Sequence, residues 1–373
     1  MTYVNKKIPY HPYIAQWIQH HEYDWVPNSY SVSALFDPPQ KYFLKKRHWD
    51  EIEIDIADTS ETGIGSMAHY DFQMNCNPPH SKSERRAGIY VGDTLVTGKP
   101  DKIMHLDQPR QEIWDLKSTT VWAYQNKKHH EAYRDQLSAY AYIVENGFWL
   151  EWWSDDPKQT PPKGVIPRPP FDDPYYTREQ RAAQAVKHGG YYLGDMCDLL
   201  SHPYGIIVPV IKDFKKTNTI RKTGYPRSGL EDNIVIQLMP QEEIFSKLRN
   251  RVKLFLDCEF LSEAEMPECT PKELWQDDTV YKPIPYLKKK NKLGQRVLSK
   301  RAVKGAVFET EAEVYKWFEE NHRSGVPRCY PTKAKRCMLY CDAHSVCPQY
   351  QRLLLDNMIE GAQILPVEVI DKE

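Results

Sequence analysis

Two acids and one base crowd into GKPDKIMHLDQPRQEIWDLKST, residues 98–119. Asp101 and Asp115 each fall at an apolar segment, with a polar, proline-containing break between them, and Lys117 follows the second acid by two positions. Side chains alternate along a strand, so Asp115 and Lys117 share a face. Leu116 then turns toward the core and still offers its backbone carbonyl. Such a set suits phosphodiester hydrolysis. Paired carboxylates hold one or two Mg²⁺ or Mn²⁺ ions, which polarise a phosphate and lower the pKa of a bound water. A neighbouring lysine stabilises the developing charge or orients the water.

The D-x-K spacing alone is a weak signal, because Asp156–Lys158 and Asp213–Lys215 repeat it. Asp156 lies in a proline-rich loop, whereas Asp213 ends an apolar strand and is the better decoy. The surroundings separate them. Only Asp115 has a G-x-x-D upstream, and only Asp115 precedes a strong helix carrying Gln136 and Tyr140 one turn apart on one face. Further upstream, Gly65-Ser-Met-Ala-His69 forms a G-x-x-x-H. His130–Glu131 invites a metalloprotease reading, but Arg134 stands where the second histidine of HExxH belongs. No G-x-x-x-x-G-K-[ST] occurs, which argues against ATP hydrolysis by this chain.

In that order the features resemble the PD-(D/E)XK nuclease superfamily, in its RecB-like branch. The matching positions are His69, Asp101 in GKPD, Asp115 and Lys117 in DLK, and Gln136 and Tyr140 in QLSAY. The resemblance implies an α/β, restriction-endonuclease-like core, with a small mixed β-sheet flanked by helices. It implies a Mg²⁺- or Mn²⁺-dependent DNA exonuclease of recombination, repair or phage DNA metabolism. His69, Asp101, Asp115 and the Leu116 carbonyl would bind metal, Lys117 would act on the water or transition state, and Gln136 and Tyr140 would position the DNA strand or the lysine. The implied partner is DNA, with a single-strand annealing protein or a separate helicase beside it, and an oligomer is compatible with the family. The alternative is a non-catalytic DNA-binding protein on a degenerate nuclease fold.

The elements that must position these groups are legible in part. Residues 89–97 and 111–116 read as antiparallel strands, and 64–73 as a helix carrying His69. Residues 130–146 show the clearest helical period, stopped by Asn146–Gly147. Residues 31–47 read as a helix interrupted at Pro38–Pro39, 178–189 as a helix, 204–214 and 233–240 as strands, and the segment from Gln241 to Cys258 as a long helix. The chain divides into an arm (1–30), the core (31–262), a basic insertion (263–328), a Cys-rich module (329–350) and a tail (351–373).

Charge is balanced overall, 51 acids against 50 bases, so a basic surface must be local. Residues 282–304 supply one: nine Lys or Arg and no acid, including Lys288, Lys289, Lys290, Lys292, Arg296, Lys300 and Arg301. Such a tract binds phosphates without sequence preference. Tyr225, Tyr281 and Tyr286 are interleaved for stacking on bases.

With no apolar run near the roughly 18 residues a membrane span needs, and no signal-like N-terminus, the expectation is a cytoplasmic protein, in the host cytoplasm if phage-encoded. Cysteines there are thiols or metal ligands rather than disulfides. Cys337-x3-Cys341-x5-Cys347 resembles the C-terminal triad of RecB-like nucleases that carry a [4Fe-4S] cluster, with zinc as the alternative. Those relatives take a fourth cysteine from an N-terminal stretch like C-P-x-K-Y-x-L. Here the stretch is Pro38–Leu44, without cysteine, so the fourth ligand falls to Cys329 or Cys269, with His344 a weaker choice that favours zinc.

Overall fold

The computed structural model describes residues 2–8, 10–13, 15, 26, 28–76, 78, 81–105, 111–150, 203–219, 224–276, 278–291, 294–356 and 358. The Pro-rich segment 155–174, the helix expected at 178–189, Lys292, part of the arm and most of the tail lie outside them. The chain forms two units, one of residues 1–43 and 53–262, the other of 44–52 and 263–373. It is a mixed α/β protein with small mixed sheets flanked by helices.

In the first unit the strands are β1 (Thr2–Val4), β2 (Ser29–Ser31), β3 (Glu53–Asp55), β4 (Lys82–Ser83), β5 (Ala87–Val91), β6 (Thr94–Gly98), β7 (Lys102–Met104), β8 (Glu112–Thr119), β9 (Phe148–Trp149), β10 (Tyr204–Ile211) and β11 (Ile234–Gln237). Its helices include α1 (Val32–Phe36), α2 (Pro39–Arg47, whose last turns belong to the second unit), α3 (Ile56–Asn75), α4 (Val121–Gln125) and α5 (His130–Asn146). A four-residue helix α6 (Lys216–Thr219) and the long α7 (Gln241–Glu259) follow.

β8 is the middle of a five-stranded sheet ordered β11-β10-β8-β7-β4. It runs parallel to β10 and antiparallel to β7. The alternation of β10 explains its place: Gly205, Ile207, Pro209 and Ile211 are buried on one face. Pro209, which cannot donate to a ladder, sits beyond the last residue paired with β11. Gly205 admits α5, since a Cβ there would lie 2.9 Å from Leu137 Cδ1. Ile113 is paired with Gly205 and Asp115 with Ile207, so Asp115, Lys117 and Thr119 face α5 as well. On the opposite face α3 approaches closely, with a Cβ at Gly65 only 3.1 Å from Ser118 Oγ.

The run 89–97 is not one strand. Gly92 adopts φ +60° and turns it into a β5–β6 hairpin within a second sheet ordered β2-β6-β5-β9. The helix carrying His69 starts earlier than its apolar pattern indicates, at Ile56, because Asp55 caps it by accepting from Ala57 N at 3.0 Å.

In the second unit, β12 (Val280–Lys290) lies between β13 (Arg296–Leu298) and β14 (Gly325–Tyr330) in a three-stranded sheet. Helix α8 (Glu311–Glu320) opens with a capping box between Thr310 and Glu313. The short helices α9 (Lys335–Leu339) and α10 (Pro348–Leu355) carry the cysteine segment. The basic insertion and the cysteine segment thus share one unit, and Cys329 belongs to the sheet, paired with Tyr281.

Candidate functional site

The sheet, α3 and α5 bring the acids and the lysine together. Asp115 is 2% exposed on β8, and Lys117 Nζ stands 2.5 Å from its Oδ2. That oxygen has no hydrogen bond of proper geometry, although it is buried. Burial pushes the Asp115 carboxyl up to about 6, with the charge of Asp101 adding to the effect and that of Lys117 opposing it. Burial also disfavours the Lys117 ammonium, yet the Asp115 and Asp101 charges outweigh it and hold the lysine protonated.

Asp101 lies in the bend just before β7 rather than within a strand. Its Oδ2 accepts from the Leu116 backbone N–H at 2.6 Å and from His69 Nδ1 at 3.1 Å. Leu116 thus fixes the Asp101 carboxylate through its backbone N–H. Burial works against protonating His69, but its hydrogen bond to Asp101 and the Asp101 charge prevail and raise its pKa.

A third group joins them. Glu84 comes within reach, and the ligand atoms of His69, Glu84 and Asp101 all lie within 4.8 Å of one another. Glu84 has φ +53°, its backbone N–H bonds the Asp101 carbonyl at 3.1 Å, and its carboxylate pairs with Lys99 Nζ at 2.8 Å. It follows a two-residue strand with no periodicity, so pattern reading missed it. Asp115 stands outside this trio, on the α5 side with Lys117.

Along α5, Gln136 Nε2 donates to Tyr140 OH at 2.8 Å. Burial raises the Tyr140 pKa, and Asp115 adds to it, so this hydroxyl stays protonated beside the acids. Gly98, the glycine of GKPD, makes room for the Tyr140 ring: a Cβ there would lie 2.9 Å from Tyr140 Cδ1. Tyr133, one turn before Gln136, was also missed. It bonds Thr119 and feels the charges of Lys117 and Asp115, while burial raises its pKa.

The decoy is explained. Asp213 Oδ1 accepts from Val121 N at 2.7 Å and so ties down the start of α4. Arg134, in the failed HExxH, bonds the Gln237 carbonyl at 3.2 Å instead.

The second unit gathers thiols. Burial pushes Cys269 and Cys337 each up to about 12, and neighbouring thiols add to it: Cys347, Cys337 and Cys341 act on Cys269, and Cys341 and Cys347 on Cys337. Cys347 is raised chiefly by burial. The Gln349 amide fixes the Cys269 backbone with two hydrogen bonds of 2.9 Å. Cys269 packs against the apolar cluster that holds Cys337. Cys329 instead bonds the Tyr281 hydroxyl. His344 turns Nδ1 to the Cys341 carbonyl at 2.7 Å and packs on Tyr350.

Of the basic tract, Lys289, Lys290, Arg296, Lys300 and Arg301 are exposed, while the Lys288 side chain and Lys292 lie outside the described residues. Arg296 lies over the Tyr286 ring, 5.9 Å from its centroid. Tyr225 turns inward within its own loop, where its hydroxyl accepts from Lys215 N at 2.9 Å.

No family model and no curated protein matches the chain. Among solved structures, one titled "Crystal structure of SSO0001" is similar at 12% identity, with a TM-score of 0.36 over 64% of this chain and 82% of that one.

Proposed function

We propose that the chain is a metal-dependent deoxyribonuclease hydrolysing DNA phosphodiester bonds, an exonuclease of recombination, repair or phage DNA metabolism. The observation that carries the reading is the buried Asp115 carboxylate, paired with Lys117 at 2.5 Å beside the His69–Glu84–Asp101 trio. The Asp115 carboxyl, raised by burial, loses that penalty when a cation arrives, so the donor set fits a hard divalent ion. His69, Glu84, Asp101 and Asp115 would hold Mg²⁺ or Mn²⁺, which supplies Lewis-acid polarisation of the phosphate and a more acidic water.

The protein's own groups do the rest. Lys117, protonated and anchored by Asp115, presents an ammonium to the charge that builds on the phosphate. Gln136 and Tyr140, bonded to each other, fix the wall opposite and limit where the strand lies. The exposed bases of β12 and β13 are proposed to bind phosphates of any sequence. The Cys269, Cys337, Cys341 and Cys347 group suits a structural [4Fe-4S] cluster or zinc, either of which offsets the mutual repulsion of its thiolates.

A non-catalytic DNA-binding protein would have no use for a lysine anchored on a buried acid, which is why catalysis is preferred. End-labelled linear DNA and closed circular DNA, each incubated with Mg²⁺ or with EDTA, test the reading. Loss of the linear substrate with Mg²⁺ only is expected. DNA bound but intact in every condition would favour the non-catalytic reading.

A further inference from the structure

At the C-terminal ends of the parallel strands β8 and β10, the first unit carries positive charge that the hydrolytic groups leave unused. α4 follows β8 there, and residues 212–219 follow β10. Hydrogen bonds tie the two connections together. Lys212 N donates to the Thr119 carbonyl at 2.9 Å, Asp213 accepts from Val121 N at 2.7 Å, and the Gln125 amide donates to the Gly224 carbonyl. Lys127, Lys128, Lys215 and Lys216 are exposed on this edge, and none of their ammonium groups has an acidic partner among the described residues. Two acids of the same edge are occupied by backbone N–H groups, Asp213 by Val121 and Glu231 by Arg227 and Ser228. Asp232, which acts on Tyr124 together with Glu231, marks the acidic border.

Trp122 stands among these lysines, 58% exposed, with Lys128 Nζ 6.0 Å from its ring centroid. Its helix is held at both ends: Thr120 Oγ1 accepts from Ala123 N at 3.2 Å, and Asn126 Nδ2 donates to the Trp122 carbonyl at 2.8 Å. Single exposed aromatics are ordinary, so the indole alone says nothing. Unpaired lysines around it decide the matter, because they repel one another until an anion arrives. A nucleic-acid strand supplies anions at regular spacing and a flat ring for the indole. A duplex supplies the anions but keeps its rings stacked inside. Lys117, Thr119, Ala123, Tyr124 and His129 border one narrow recess, so this edge adjoins the lysine assigned to the reacting phosphate.

We infer that the edge is a guide for single-stranded DNA: Trp122 stacks on an unpaired base, and Lys127, Lys128, Lys215 and Lys216 hold the phosphates around it. This rests on the nuclease reading and adds a substrate class, DNA with an unpaired strand next to the bond being cut. Stacking and phosphate contact accept any sequence.

Fluorescence anisotropy of the full chain, with Ca²⁺ replacing Mg²⁺ to prevent turnover, compares a labelled single strand with a blunt duplex. Trp122→Ala is expected to weaken the single strand about 5- to 100-fold and the duplex little, while Trp122→Phe keeps most of the affinity. Lys127→Gln, Lys128→Gln, Lys215→Gln and Lys216→Gln, combined, should make the single-strand salt slope shallower by about 0.7 per lost phosphate contact. Unchanged single-strand affinity in Trp122→Ala, equal losses on both DNAs, or an unchanged slope overturns the guide. Cleavage of end-labelled DNA in Mg²⁺ alongside such a result sinks the guide alone. Failure of the unaltered chain to bind or cleave either DNA sinks the nuclease reading with it.

Discussion

A carboxylate taken out of water costs several kcal/mol unless something compensates it, and Asp115 is compensated only in part. Asp213 shows the contrast, since the same D-x-K spacing there serves to hold a helix start. Type and spacing could nominate both aspartates; the surrounding motifs favour Asp115 in the sequence, and burial beside Asp101 sets it apart in the fold. Glu84 was illegible for a physical reason: its position depends on a left-handed backbone turn and on the β4–β7 pairing, neither of which leaves a periodic trace. Tyr133 was readable in principle, three positions before Gln136 on the same helix. If Glu84 shares the cation site, Glu84→Gln should weaken divalent-ion binding, measured by titration calorimetry, by about tenfold or more. Unchanged affinity would assign Glu84 to its ion pair with Lys99 alone.

At the scale of elements, helical period carried the most information. The residues of α5 repeat every 3.6 positions, and its ends fall at His130 and Asn146, where the period starts and Gly147 stops it. Strand pairing carried less, because partners distant in sequence leave no local mark. The parallel β8–β10 register, which turns Asp115 and Lys117 toward α5, is of this kind. Close packing behind the site gives a direct test: Gly98→Ala forces a methyl against Tyr140. It should cost roughly 1–3 kcal/mol of stability in a denaturant titration and displace Tyr140. A neutral outcome would mean that α5 shifts freely. In the second unit, Lys288, Lys289 and Lys290 replaced together by Ala should weaken binding to every DNA sequence alike. The slope of log affinity against log salt should become shallower by about 0.7–0.9 per lost phosphate contact. An unchanged slope would make this tract a solvated surface.

For the whole molecule, sequence order concealed which distant segments meet. Residues 44–52 belong with 263–373, and Cys269 joins cysteines some seventy residues further on. Spacing alone favoured Cys329 and Cys269 equally; the β12–β14 pairing withdraws Cys329 into a sheet. On the proposed metal–thiolate reading, Cys269→Ser should release the metal and destabilise the second unit, while Cys329→Ser should retain it. Elemental analysis and an absorbance scan near 400 nm after anaerobic purification would check this, and full metal content in Cys269→Ser would contradict it. The central claim, that buried Asp115 and Lys117 are catalytic, is tested most directly by cleavage of end-labelled linear DNA in Mg²⁺. Asp115→Asn and Lys117→Ala are compared with Asp213→Asn. The account predicts a loss of about 10²–10³ or more in rate for the first two, with folding and DNA binding retained, and activity kept by Asp213→Asn wherever that variant folds. Undiminished cleavage by Asp115→Asn, with Asp213→Asn folded but inactive, would contradict it.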